Sequence, residues 1–243
     1  MENRHFQLEN EWSAIYYPEK PTGFGVMIFG DERHFVNEET SFWKQNPGKQ
    51  QILSTLKEAG YTLFTSNFHG RHWGSAKAVL LGSLLYSYVM KNEILNNKIH
   101  IIAEGMGALA ALKMANEMKG NIRSVVLINP ILSLKMHMEQ EKEHRFFYKK
   151  VLKEIAEAHE MDSRIAARHI ESESKPDLSF GIPIRVVYIL AGGRSYQQSR
   201  TCKNIIDAVR GQAQITETFM LPEKASQLGG EIAKFFSRHE KVL

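Results

Sequence analysis

Between Ile99 and Ala110 the chain passes from a nearly unbroken apolar run, Ile99-His100-Ile101-Ile102-Ala103, through Glu104-Gly105-Met106-Gly107 into the helix formers Ala108, Leu109 and Ala110. A short apolar run ended by glycine reads as a buried strand, and the paired glycines turn it at once into a helix. Strands buried on both faces belong to mostly parallel sheets covered by helices. This one turn therefore directs the chain to an α/β fold.

The rest of the chain repeats that alternation. Phe24–Gly30 is a compact buried strand, preceded by a weaker alternating pair around Phe6–Tyr17. Asn46–Ala59 reads as a helix with Ile52, Leu53, Leu56 and Ala59 on one face and Gly60 as its stop. Tyr61–Ser66 is the next strand, followed by a Gly/His-rich loop, Asn67–Ser75, and a helix over Lys77–Glu93. Lys98–Ala103 is the strand feeding the turn, Gly107–Met118 the helix after it, and Ser124–Asn129 the next strand. Residues 135–172 differ: they are charged, helical in period and free of glycine, with an apolar stripe of Phe147, Val151, Ile155 and Ala158 that Ile165 and His169 extend. Phe180–Leu190 returns to a buried strand. Asn204–Val209 is helical, Gln214–Leu221 a strand, and Ala225–Arg238 a closing helix.

At 243 residues the chain fits one α/β domain with a small insertion. Its net charge of +4 is spread along the sequence rather than gathered in a run, which argues against a nucleic-acid footprint. The single cysteine, Cys202, excludes an internal disulfide and fits a reducing compartment. Residues 1–20 carry Glu2, Glu9, Glu11 and Glu19 without an apolar stretch, so no signal peptide is expected. No apolar run is long enough for a membrane span. The expectation is a soluble cytoplasmic protein.

The order of elements, together with three local matches, resembles the α/β-hydrolase superfamily over essentially the whole chain. Gly23–Gly30 and its following loop look like the family's third strand and oxyanion loop. Phe68-His69-Gly70-Arg71-His72-Trp73-Gly74-Ser75 is similar to the D-x-x-G-x-G-x-S loop after strand four, with Asn67 near the usual aspartate. Ala103–Ala108 resembles the nucleophile elbow G-x-S-x-G. The resemblance implies a core domain over residues 1–132 and 179–243, with a helical cap over 133–178 after strand six.

The family's triad needs an oxygen nucleophile, a carboxylate after strand seven and a histidine after strand eight. The nucleophile position here is Gly105, which suits the positive φ of that turn but carries no oxygen. The acid position falls in Ala191-Gly192-Gly193-Arg194-Ser195, at Gly192 or Gly193, and the alternative at the end of strand six is Asn129-Pro130. The histidine position falls near Lys224, in Pro222-Glu223-Lys224-Ala225-Ser226. His239 lies too near the chain end to serve. All three members are missing, so the expectation is a pseudo-hydrolase. Its oxyanion hole, from the Met106 N–H and an N–H near Gly30-Asp31, would be left to hold a ligand oxygen. Glu104 is expected to point away from that pocket.

Other readings compete. Gly105-Met106-Gly107-Ala108-Leu109-Ala110 also fits G-x-G-x-x-A, the dinucleotide fingerprint, but the following strand ends Leu127-Ile128-Asn129-Pro130 without the acid that holds a ribose. His69 and His72 form an H-x-x-H pair, with His34 as a spatial neighbour. No carboxylate or cysteine accompanies them in that loop, so no metal is expected, and they stand as acid–base candidates for an enzyme of hydrolase ancestry. His137, His144, His159 and His169 read as decoration of solvated helix faces, Phe146, Phe147 and Tyr148 as lid core, and Cys202 as inert. The resulting expectation is a protein without cofactor, holding a small molecule under the cap or a protein partner on its surface.

Overall fold

In the computed structural model, residues 3–142, 145–174, 176–178, 181–209, 211 and 213–240 are described. The expectations for His144 and Phe180 lie outside the described residues.

Eight strands form one sheet: β1 (Asn3–Leu8), β2 (Glu11–Tyr16), β3 (Gly25–Phe29), β4 (Thr62–Ser66), β5 (Ile99–Glu104), β6 (Ile122–Ile128), β7 (Ile184–Ile189) and β8 (Ile215–Met220). Their spatial order is β1-β2-β4-β3-β5-β6-β7-β8. β1 and β2 pair antiparallel, β2 pairs antiparallel with β4, and the remaining pairs are parallel. The β1–β2 hairpin turns on Glu9 and Asn10, both at positive φ (50° and 64°), the backbone of a tight two-residue turn.

Alternation along the strands sends side chains into two cores. Met27 and Phe29 of β3 and Ile101 and Ala103 of β5 face one; Val26, Ile28 and Ile102 face the other. Helices α1 (Phe42–Gln45) and α2 (Pro47–Glu58) follow β3. Next come α3 (Ala76–Asn92) after β4 and α4 (Gly107–Glu117) after β5. Leu56 of α2 and Leu85 of α3 are both fully buried, on opposite faces of the sheet. Each such burial contributes about 1.5–3 kcal/mol.

Among the described residues, three helices stand between β6 and β7: α5 (Leu134–Glu141), α6 (Arg145–Ala158) and α7 (Ser163–Glu171). They close on the sheet's end through a third core that joins Val151, Ile155 and Ile170 to Trp73, Met106 and Leu109. Two expectations fail here. Phe146 and Phe147 are 76% and 45% exposed, and Ile165 is 49% exposed. The stripe is buried at Val151 and Ile155 and partly buried at Ala158, and in α7 the buried face is Ala166 and Ile170.

Helix α8 (Gly193–Ala208) begins well before the expected Asn204, and α9 (Leu228–Ser237) follows a 3-10 turn over Pro222–Gln227. Glycine and polar residues at Gly193–Gln198 hide the helical start in the sequence. The structure spends them on a helix capped by Gly192 at φ +103°.

Candidate functional site

The turn after β5 takes the expected shape. Gly105 has φ +52°, its N–H donates to the Ile128 carbonyl at 3.1 Å, and its carbonyl accepts from the Ile131 N–H at 2.9 Å. Gly107 presses against the end of β3, where an added Cβ would lie 2.6 Å from the Gly30 carbonyl oxygen. A side chain there would push α4 off the sheet.

The Asp31 side chain fills the space in front of Gly105. A Cβ placed on Gly105 would lie 2.0 Å from Asp31 Oδ1 and 2.1 Å from its Cγ. Asp31 Oδ1 also accepts the Met106 N–H at 3.0 Å. This corrects the expectation of an open donor at Met106: the chain's own carboxylate holds it. Gly30 is covered in turn by His34, whose Cγ would lie 2.2 Å from a Cβ there. Burial pushes the Asp31 pKa up to about 6; the Met106 and Glu32 N–H groups pull it down, and the Glu104 and Glu32 carboxylates push it up. Glu104 itself reaches to Lys49 Nζ at 2.5 Å, on α2.

The expected acid and histidine positions carry neither a carboxylate nor an imidazole. Gly192 and Gly193 form the exposed start of α8, and Lys224 is exposed on the 3-10 turn after β8. His239 packs its ring on Phe235 at 4.8 Å, and its carbonyl accepts from Arg123. The ionised groups that Asp31 feels most are carboxylates, not an imidazole.

His69 and His72 diverge. His69 Nδ1 meets Glu11 Oε1 at 3.0 Å on β2. His72 is 2% exposed; its Nδ1 accepts the Gly74 N–H at 3.1 Å, and its buried Nε2 has no partner among the described residues. Burial, followed by the charges of His34, His69, Lys113 and His159, lowers its pKa to about 3. His34 is buried as well, with Nε2 on the Ser66 carbonyl at 2.9 Å and a pKa lowered by burial to about 4. His137 and His159 correct another expectation, since both contact Trp73 in the loop after β4 instead of decorating a solvated face. The His137 ring lies 5.4 Å from the Trp73 ring, and His159 Nε2 meets the Trp73 carbonyl at 3.0 Å. Cys202 is buried, donates to the Pro130 carbonyl at 3.0 Å, and has its pKa pushed by burial to about 12. Burial and this hydrogen bond hold it as a thiol.

One polar trio escaped sequence reasoning. His100 and Ser124 face each other across β5 and β6, with Nδ1 and Oγ 2.8 Å apart. His100 Nε2 lies 3.6 Å from Glu240 Oε1, and the Tyr61 hydroxyl donates to the same carboxylate. The residue types are those of a serine-hydrolase triad, but His100 and Ser124 are 0% exposed and sit at the opposite end of β5 from Gly105. The pair lies sealed in the core, where the trio ties Glu240 to the sheet. A histidine inside an apolar run was its only linear signal.

Above the turn after β5, Met106, Leu109 and Trp73 pack with Val151 and Ile155 of α6. Cavities open elsewhere. One of about 790 Å3 lies between Tyr17 and Glu58, one of about 370 Å3 between the cap's ends and α8, and one of about 300 Å3 between the loop after β4 and α6. Among the described residues, no group of three or more His, Cys, Asp or Glu is placed to hold a metal. Nor is any described helix long and apolar enough to cross a membrane.

No protein-family model matches the sequence, and no curated protein is detectably similar to it. Solved structures match over nearly the whole chain. Est1E from Butyrivibrio proteoclasticus matches with a TM-score of 0.63 at 10% identity, over 98% of this chain and 99% of that one. An esterase from Pyrococcus furiosus gives 0.64 at 13%, over 98% and 91%. A serine hydrolase without a lid from Xanthomonas campestris gives 0.63 at 13%, over 100% and 97%. The chain has the α/β-hydrolase fold.

Proposed function

We propose that this protein is a pseudo-hydrolase: an α/β-hydrolase-fold chain that does not run triad hydrolysis and serves instead to bind a small molecule or a protein partner. One observation carries the reading. The Asp31 carboxylate stands where a nucleophile's side chain would project from residue 105, and it holds the Met106 N–H that an oxyanion would need. A tetrahedral oxyanion formed there would meet a carboxylate instead of a free donor. The glycines at 192 and 193 and the lysine at 224 add no acid and no base. In this reading residues 133–178 are the cap, and the protein is cytoplasmic and works without a cofactor.

Two alternatives have less support. An acid–base enzyme working through His69 and His72 needs a ring that takes a proton near neutral pH, and His72 is held neutral by burial. A nucleotide phosphate at Gly105-Met106-Gly107 would be repelled by Asp31.

Short-chain p-nitrophenyl esters and a fluorophosphonate label test the proposal. The expected result is no turnover and no label, for the natural chain and for Gly105→Ser alike. Ester hydrolysis at about 1–10³ s⁻¹, abolished by Asp31→Ala, would overturn it.

A further inference from the structure

We infer that the solvent face of helix α6 seats the protein on an anionic lipid bilayer, Phe146 entering between the headgroups and Lys142, Arg145 and Lys149 meeting their charge. The inference goes beyond the binding role proposed above and stands apart from the question of hydrolysis.

Helix α6 is anchored on its other side. Val151, Ile155 and Ala156 are buried, and the first two belong to the third core. The helical repeat places Phe146, Lys149, Lys150 and Lys153 at i, i+3, i+4 and i+7, on one outward face. All of them are exposed, Phe146 at 76%. Most of that ring's apolar surface stays in water, a cost that a partner covering it would remove.

The charge around the ring has one sign. Residues 142–153 carry Lys142, Arg145, Lys149, Lys150 and Lys153 against the single acid Glu143. Lys150 and Lys153 are offset further along the helix by Glu154 and Glu157, at 3.8 and 3.6 Å. Lys142, Arg145 and Lys149 are exposed and form no ion pair with any described residue. Anionic headgroups complement these free cations directly.

Shape selects the occupant. None of the cavities described above is lined by Phe146, Arg145 or Lys149, so the face encloses no small molecule. The Phe146 and Phe147 rings meet edge-on, 5.8 Å apart at 81°, and offer no flat platform on which nucleic-acid bases stack. A bilayer needs neither cavity nor platform. An aromatic wedge flanked by cations binds it by burying apolar area and by attraction to anionic lipid.

The test is co-sedimentation of the full chain with vesicles of phosphatidylcholine alone and of phosphatidylcholine mixed equally with phosphatidylserine. Binding to the mixed vesicles alone is expected, and it should fall as salt is raised. Arg145→Glu combined with Lys149→Glu is expected to weaken it about tenfold or more, and Phe146→Ser about fivefold. Lys91→Glu removes an exposed cation at the end of α3 remote from the loop after β4, and is expected to leave binding unchanged. Circular dichroism checks each fold; if the charge reversal misfolds, Arg145→Gln with Lys149→Gln replaces it, with a loss again expected. Equal sedimentation with both kinds of vesicle, binding indifferent to the α6 variants, or an equal loss in Lys91→Glu overturns the inference. So does capture of polyglutamate or single-stranded RNA through these residues while the mixed vesicles stay unbound. Those outcomes leave the ester and fluorophosphonate results untouched, so the two proposals fail separately.

Discussion

At position 105 backbone and space argue against a side chain independently. A residue other than glycine at φ +52° costs about 1–2 kcal/mol, and a Cβ would overlap Asp31 at 2.0 Å. Gly105→Ser is therefore expected to destabilise the protein by about 2–4 kcal/mol in urea unfolding, and Asp31→Gly to relieve part of that loss. A double-mutant cycle showing no coupling between the two positions would refute the overlap. Asp31 also has its own pH signature. Its carboxyl ionises near 6 in the fold against 3.8 when unperturbed, so the folded chain holds the extra proton between those values. Stability from this group falls as pH rises through that window, and the ionised carboxylate costs the fold at neutral pH. Asp31→Asn keeps an acceptor for the Met106 N–H. It is expected to add on the order of 1–3 kcal/mol near pH 7.5 and nothing below about pH 4.

Helices α5, α6 and α7, the cap of the proposal above, dock on the core through the loop after β4. Trp73 packs in the third core, donates to Glu154, receives the His137 ring and offers its carbonyl to His159. Arg71 reaches Glu154, and Lys77 reaches Glu160. Within the cap, Asp162 caps α7, while the Glu173 carboxylate accepts from the Ser133 hydroxyl and the Leu134 and Lys135 amides at the start of α5. Trp73→Ala should cost about 3–5 kcal/mol in cap docking. Hydrogen exchange is expected to quicken in α5, α6 and α7 while β3, β5 and β6 keep their protection. Uniform loss of protection across the sheet would show that cap and core do not open separately.

Across the whole molecule, buried imidazoles set the acid limit. His34 and His72 titrate near 4 and 3 in the fold, far below the ordinary 6.5, because burial disfavours their charge. The unfolded chain takes those protons first, so this stability is full above pH 6.5 and is lost as pH falls toward the folded values. From about pH 6.5 to 5 each ring is expected to cost about 2 kcal/mol. His100 acts in the same direction. Burial pushes Glu240 up, but His100 and Tyr61 outweigh it and hold its pKa below the usual range, so its contribution is lost on acidification too. Urea unfolding at pH 7 and 5 checks the sum. A protein equally stable at both would contradict the burial of these rings.

The sequence by itself determined most of the strand and helix order, the mostly parallel sheet, the helical stretch after β6 and the lack of a side chain at position 105. Those follow from local pattern: apolar runs, glycine stops and residue identity act within a few neighbours along the chain. It did not reveal that Asp31 would lie against Gly105, because 74 residues separate them and only β3 pairing with β5 brings the two loops together. The partnering of His100 with Ser124 and Glu240, and the division of His69 from His72, likewise depend on register and burial. Hydrophobic period fixes which face of an element turns inward; what a buried polar group meets there is decided by the packing of distant segments.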